Sequence, residues 1–315
     1  MAADGTAQLI AVDWGTSRLR AELLDGDGVR LAEADSSDGI GTLEPGEHEA
    51  AFERLVEDWP VVPAVMAGMI GSRQGWREAP YIGCPATPDE LAAATIRFET
   101  TAGRPVAIVP GVMVRSEDRD GDVIRGEETQ MVGLLSRPGG FDGLAILPGT
   151  HAKWAALGNG AIQSFQTFFT GELFDLLAHQ SFLRHSVDAE HENLAILPDF
   201  ALGVRRTVER RVPFLSAVFS VRARHLLDDT APVDNRAYLS GLVIGGEIVA
   251  ARDSGLIPGG GRIAIVGSRT LTKAYHRAMA IAGHETEAID GRRMVIDGLL
   301  QIARSLGFLG GKDKP

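Results

Sequence analysis

An apolar strand that runs into a Gly-Thr turn and out into a second strand occurs twice in this chain. The first copy is LIAVDWGTSRLRAELLDGDGVRLAEA, residues 9–34, and the second is LAILPGTHAKWAALGNGAIQSFQTF, residues 144–168. Both keep one order: strand, Gly-Thr turn, strand, Gly-rich turn, strand. Gly15-Thr16 falls on Gly149-Thr150, and the turn Asp25-Gly26-Asp27-Gly28 falls near Gly158-Asn159-Gly160. Few folds satisfy such a repeat, because each copy predicts three strands led by a buried one. A buried strand ending in this turn gathers backbone N–H groups and a hydroxyl around one point, as phosphate-holding turns do. Two such turns could hold one phosphate chain from both sides, so nucleotide handling is the expectation. Only the first copy carries an acid, Asp13.

The rest of the chain alternates strands and helices. In EHEAAFERLVEDW, Phe52, Leu55, Val56 and Trp59 recur at i, i+3, i+4 and i+7, which predicts an amphipathic helix. Strands are predicted at 63–68 and 105–111, and a helix at GEETQMVGLL with acids in its first turn. SRPGGFDG (136–143) reads as a linker. That predicts domains at 1–139 and 140–315, with the closing helix RRMVIDGLLQIARSLG free to pack back on the first. Helices are further predicted at GELFDLLAHQSFL, SAVFSVRARHLL, NRAYLSGLVIGGEIVAARD and TLTKAYHRAMAIAG, the last following the strand RIAIVGS. The alternation argues for an α/β class with mixed sheets.

Composition narrows the partners. With 31 basic against 42 acidic residues the formal charge is −11, which argues against nucleic acid and anionic membrane surfaces. The single cysteine, Cys84, excludes an internal disulfide framework and a multi-thiolate zinc site. The eight histidines show no metal-binding spacing. No basic leader precedes the first strand and no apolar run reaches membrane-span length. A cytoplasmic protein is the expectation, with a homodimer left open and the basic tail GKDKP read as frayed.

Several residues admit two uses. Asp13 either caps its own turn or, beside Gly15, Thr16 and Ser17, offers a carboxylate to Mg²⁺, which typically takes one or two carboxylates plus phosphate oxygens. Arg20 on the outgoing strand either meets phosphate or is solvated. Lys153 either supplies the charge that the second turn lacks or is a surface lysine. Thr170 and Glu172 either face a cleft or merely start a helix. The stretch MIGSRQGWREAPYIGCPATP is long for a plain connection, which marks its Arg73, Gln74, Trp76 and Arg77 as functional candidates. Trp76 either walls a pocket or staples the loop. No GxxxxGK[ST] motif occurs, so a P-loop kinase is disfavoured.

Taken together, AVDWGTSRLRA, AGMIGSRQGWREAPYIGCPA, VIRGEETQMVGLL, LPGTHAKW, TFFTGELF, FSVRARHLL and YLSGLVIGGEI span most of the chain in order. In these blocks the chain resembles the 2-dehydro-3-deoxygalactonokinase family, within the superfamily of sugar kinases, hexokinase, actin and heat-shock chaperones. The resemblance implies two ribonuclease H-like (actin-like ATPase) domains with mixed five-stranded sheets flanked by helices. It implies ATP and Mg²⁺, and phosphoryl transfer to the terminal 6-hydroxyl of 2-dehydro-3-deoxy-D-galactonate. ATP is expected between the halves, on Gly15, Thr16, Ser17, Arg20, Gly149, Thr150 and Lys153, with Gly267 and Ser268 near the nucleoside and Asp13 on the metal. Glu127 stands where related carbohydrate kinases carry their general base, one methylene longer than the usual Asp, with Glu128 as the alternative. Arg73 suits the substrate carboxylate, with Gln74, Trp76, Thr170 and Glu172 lining the sugar site. Two rivals stay open: a phosphohydrolase or ATPase of the same superfamily, and an actin-like assembly protein. The configuration of the sugar acid is not legible.

Overall fold

In a computed structural model of the chain, residues 6–116 and 119–309 are described, and the chain divides into two compact units. Unit 1 runs to Phe141 and adds Leu157–Ser164 and the C-terminal segment from Arg292; unit 2 comprises Asp142–Ala156 and Phe165–Gly291. The tail GKDKP lies outside the described residues. Among those described, no helix is long and apolar enough to cross a membrane.

Unit 1 opens with an antiparallel meander, β1 (Ala7–Trp14), β2 (Leu19–Asp25) and β3 (Arg30–Ser36). Its turn after β2 is set by Asp25, whose Oδ1 accepts from the backbone N–H groups of Asp27 and Val29. Then come α1 (His48–Leu55), β4 (Ala64–Gly68), β5 (Tyr81–Gly83), α2 (Pro88–Ala93), β6 (Ile96–Glu99) and β7 (Pro105–Ile108). β8 (Gly111–Ser116), β9 (Arg119–Ile124) and α3 (Glu127–Leu135) complete the run. The main sheet has the order β3-β2-β1-β4-β7-β6, with β4 parallel to both β1 and β7. β1 is central, so Leu9, Ile10, Ala11 and Val12 are buried in succession, as a strand covered on both faces requires. A separate sheet, β5-β8-β9, holds the loop segment.

Unit 2 carries β10 (Gly143–Leu147), and with it the hairpin of β11 (Ala152–Gly158) and β12 (Ala161–Phe168), whose tip counts with unit 1. α4 (Thr170–Asp175), α5 (Arg184–Val187), α6 (Pro198–Val208), α7 (Phe214–Leu227) and α8 (Pro232–Asp253) follow, then β13 (Arg262–Gly267), α9 (Arg269–Ile281) and β14 (Glu287–Asp290). The sheet order β12-β11-β10-β13-β14 repeats the β3-β2-β1-β4-β7 order of unit 1, to which β6 adds one antiparallel edge strand. Two sheets of this order flanked by helices are the ribonuclease H-like duplication. α6 packs on α8 through Gly203, Gly241 and Gly245, where a Cβ would collide with atoms of the facing helix.

The last helix, α10 (Gly291–Ser305), belongs to unit 1 from Arg292 onward. A Cβ on Gly133 of α3 would collide with the Met294 carbonyl, and one on Gly298 with the Thr129 carbonyl, so α3 and α10 touch backbone to backbone.

Candidate active site

β1 delivers Asp13 at its C-terminal end, opposite Arg20 of β2, with Oδ2 3.5 Å from the guanidinium. Asp13 sits in a recess shared with Arg20, Glu22 and Arg292, and 38% of its side chain still meets solvent. Burial raises its pKa; Arg20 and then Arg292 oppose the rise, and the Glu127 carboxylate adds to it. In the turn that follows, the Gly15 and Thr16 carbonyls accept from the Ile40 and Gly41 N–H groups, while Thr16 and Ser17 are exposed. Gly15 has no positive φ, and a Cβ there would meet only the Arg18 carbonyl, at 3.9 Å. Neither backbone strain nor packing demands glycine here.

A pair of glycines brings the start of α3, and with it Glu127, to the end of β1. Gly68, at the end of β4, has φ +95°, and a Cβ there would lie 2.7 Å from the Trp14 carbonyl. Gly126, with φ +109°, comes so near that its Cβ would lie 3.3 Å from the Gly68 Cα. The ends of β1 and β4 and the start of α3 therefore converge, as only residues without side chains allow. Glu127 is half-buried there. Glu128 is 0% exposed, its Oε2 accepting from the Gly126 N–H at 2.6 Å, and burial followed by Glu127 raises its pKa to about 8. Glu128 closes the helix start from inside.

In the loop after β4, Arg73 is 84% exposed and pairs with Glu78 at 3.2 Å. Gln74 is exposed, and its backbone hydrogen-bonds the buried His48, whose ring meets Trp14 edge-on. Trp76 packs against Phe52 and Phe98, and the Arg77 guanidinium covers the Phe98 ring at 4.2 Å. Of the two uses open to Trp76, these contacts are those of a staple.

The second turn is braced from behind. Lys153 is only 5% exposed and donates to the His151 carbonyl at 2.7 Å, so it is no surface lysine. The Thr150 carbonyl accepts from the Glu172 N–H, and a Cβ on Gly171 would collide with the Gly149 carbonyl. α4 thus starts directly on the turn. His151 bonds Glu172 at 2.6 Å and stacks on Phe169. Gly149 repeats the Gly15 situation: no positive φ, and open space beyond the His151 carbonyl 3.9 Å away.

Beside this turn lies a cavity of about 470 Å³, lined by Gly149, Thr170, Gly171, Arg236 and Tyr275 among others. Ser268 caps α9, and the cavity wall is formed by the next turns of that helix, Thr270, Leu271, Ala274 and Tyr275, rather than by Gly267 and Ser268. Behind the wall Glu247 of α8 is buried and gathers three donors. Its Oε1 accepts from the Trp154 Nε1 at 2.5 Å and its Oε2 from the Tyr275 hydroxyl at 2.6 Å, with Thr170 as the third. Burial raises its pKa against the pull of these donors. Glu247, Tyr275, Arg236, His151 and Arg292 escape the sequence reading; only Glu247, a lone acid within the apolar run LVIGGEIVA, leaves a signal there.

For a metal, the donor chemistry fits Mg²⁺. The described residues contain no group of three ligating side chains, but this ion needs only one or two carboxylates. Asp13 supplies one, and Glu127 already presses negative charge on it.

A family model for 2-keto-3-deoxy-galactonokinase matches residues 13–302. The chain is 39% identical to a Rhizobium meliloti (strain 1021) protein assigned as 2-dehydro-3-deoxygalactonokinase, over 94% of this chain and 96% of the relative. It is 34% identical to the 2-dehydro-3-deoxygalactonokinase of Escherichia coli K12, over 96% and 99%. A Sinorhizobium meliloti crystal structure assigned to the same activity superposes with a TM-score of 0.86 at 37% identity, covering 95% of this chain and 99% of that one. The chain belongs to the 2-keto-3-deoxy-galactonokinase family.

Proposed function

We propose that the protein transfers the γ-phosphate of ATP to the terminal 6-hydroxyl of 2-dehydro-3-deoxy-D-galactonate, releasing ADP. The observation that carries this reading is the glycine pair Gly68 and Gly126, which sets Glu127 beside Asp13 in a chain matched by the kinase family from residue 13 to 302. Glu127 takes the hydroxyl proton as the oxygen attacks phosphorus in line. Gly15, Thr16, Ser17 and Arg20 from one turn, and Gly149 and Thr150 from the other, bind phosphate oxygens, with Lys153 holding the second turn in shape. Gly267 and Ser268 stand at the nucleoside edge. Arg73 recognises the substrate carboxylate, for which its fork of donors is suited. Gln74, Thr170 and Glu172 complete the sugar-acid contacts, while Trp76 anchors the loop. Asp13 would hold Mg²⁺, which neutralises phosphate charge when bound. A cytoplasmic location suits the use of ATP.

A coupled assay of ADP formation across several 2-keto-3-deoxy sugar acids tests the proposal. Fastest turnover is expected with the galacto acid. ADP release that none of them stimulates would reject the kinase reading in favour of a phosphohydrolase, and preference for another sugar acid would change the substrate alone.

A further inference from the structure

α7 is apolar on two sides. Ala217 and Val221 are buried in the unit-2 core, with Phe214 and Val218 packed partly against it. On the far side Leu215, Phe219 and Leu226 are exposed at 87%, 69% and 62%. With Arg222 they follow the 4-3-4 spacing that keeps one seam of a helix facing a partner helix. At about 100° per residue the four fall in a stripe roughly 60° wide. The Arg222 guanidinium lies 5.1 Å from the ring of Phe182, itself exposed, so the apolar surface continues sideways.

The two ends of this stripe carry opposite charge. Arg210 and Arg211 precede α7 and Asp228 and Asp229 follow it, all four exposed and none in an ion pair among the described residues. α7 also starts with no side-chain cap and no acid in its first turn, which leaves its N-terminus receptive to carboxylates.

We propose that two copies of this chain associate antiparallel along α7, across a two-fold axis. Leu215 then faces Leu226 of the second copy, and Phe219 faces Arg222, where a guanidinium over an aromatic ring is attractive. The aspartate pair of each copy meets the arginine pair and the uncapped helix start of the other, so the contact is closed and self-complementary. Parallel pairing would instead set Arg222 on Arg222 and arginine pair on arginine pair. The electrostatics select the antiparallel arrangement.

Sedimentation equilibrium of the full chain at micromolar concentration should give the mass of two copies. L215E/F219E/L226E should give one copy that keeps the wild-type far-UV circular dichroism, because these side chains lie outside the core of the single chain. Under mild oxidation L215C/L226C should cross-link two copies almost fully, whereas L215C alone, and the parent with only Cys84, should not. A wild-type chain that stays single, or a triple variant that stays paired, overturns the proposal. So does efficient cross-linking through L215C alone, or none in the double variant. No readout uses turnover, so failure of the kinase reading leaves the outcome intact.

Discussion

Glu127 and Glu128 are neighbours in sequence with opposite surroundings: Glu127 is half-buried and raises the pKa of Asp13, whereas Glu128 is sealed inside against the Gly126 N–H. The two carboxylates therefore answer differently to the same change. E127Q should reduce kcat by at least about a hundredfold, the scale of losing one group that acts in the transition state, while ATP affinity measured by calorimetry stays near wild type.

E128Q should act on stability and its pH dependence. The Glu128 pKa is raised in the folded state, to about 8, so the native protein favours the protonated acid. Its contribution is fully present below the unfolded value near 4.5 and is lost as pH rises through about 8. E128Q, uncharged at every pH, should lose less stability between pH 5 and 9 than wild type. Every tenfold difference in proton affinity between the folded and unfolded states is worth about 1.4 kcal/mol, so denaturant titrations at several pH values should resolve the effect.

Gly15→Ala and Gly149→Ala place a methyl group where each turn is open. Neither residue has a positive φ, so folding stability should hold within about 0.5 kcal/mol. KM for ATP should rise roughly tenfold or more in each variant, the equivalent of about 1.4 kcal/mol. Equal KM values in variant and wild type would remove that turn from the phosphate site.

Glu247 serves three donors from three elements, so its removal strands all of them. Each buried unsatisfied group costs about 1–3 kcal/mol. E247A should lower the melting temperature by on the order of 10 °C, since 1 kcal/mol moves it roughly 2–4 °C at this chain size. E247Q keeps the volume and one acceptor oxygen for Trp154, its NH2 group can donate to the Tyr275 hydroxyl, and it should lose less.

His48 predicts an acid limb. Burial lowers its pKa, with the Gln74 backbone and then Glu47 pulling weakly the other way. The native state therefore favours neutral imidazole, and stability present above the unfolded value near 6.5 is lost as pH falls below it. H48F, which keeps a ring against Trp14, should flatten that limb in thermal melts from pH 7.5 to 5.

What the sequence discloses divides by distance along the chain. Both Gly-Thr turns, their flanking strands and the start of α3 were legible because each is a local pattern with its own turn chemistry. α6 was not: Gly203 interrupts its apolar face, and the run Glu209-Arg210-Arg211 dilutes its end. Lys153 reads either as charge for the second turn or as a surface lysine, because nothing local shows that α4 closes over its turn. Glu247 meets Trp154 from 93 residues away, and Arg292 meets Glu22 from 270 away. Such pairs have no periodicity to betray them; only the folded sheet order brings them together.

The closing helix has a consequence for how the molecule is made. Gly298 and Met294 of α10 fit against Thr129 and Gly133 of α3, the helix that Glu127 begins, yet they leave the ribosome only after the whole of unit 2. Unit 2 lies between these partners in the chain and can be synthesised whole while the first unit still lacks a wall. During translation the first unit must therefore wait, its α3 glycine groove uncovered, until Arg292 and the helix it leads arrive. A chain stopped before Arg292 would have one finished half and one that never closes.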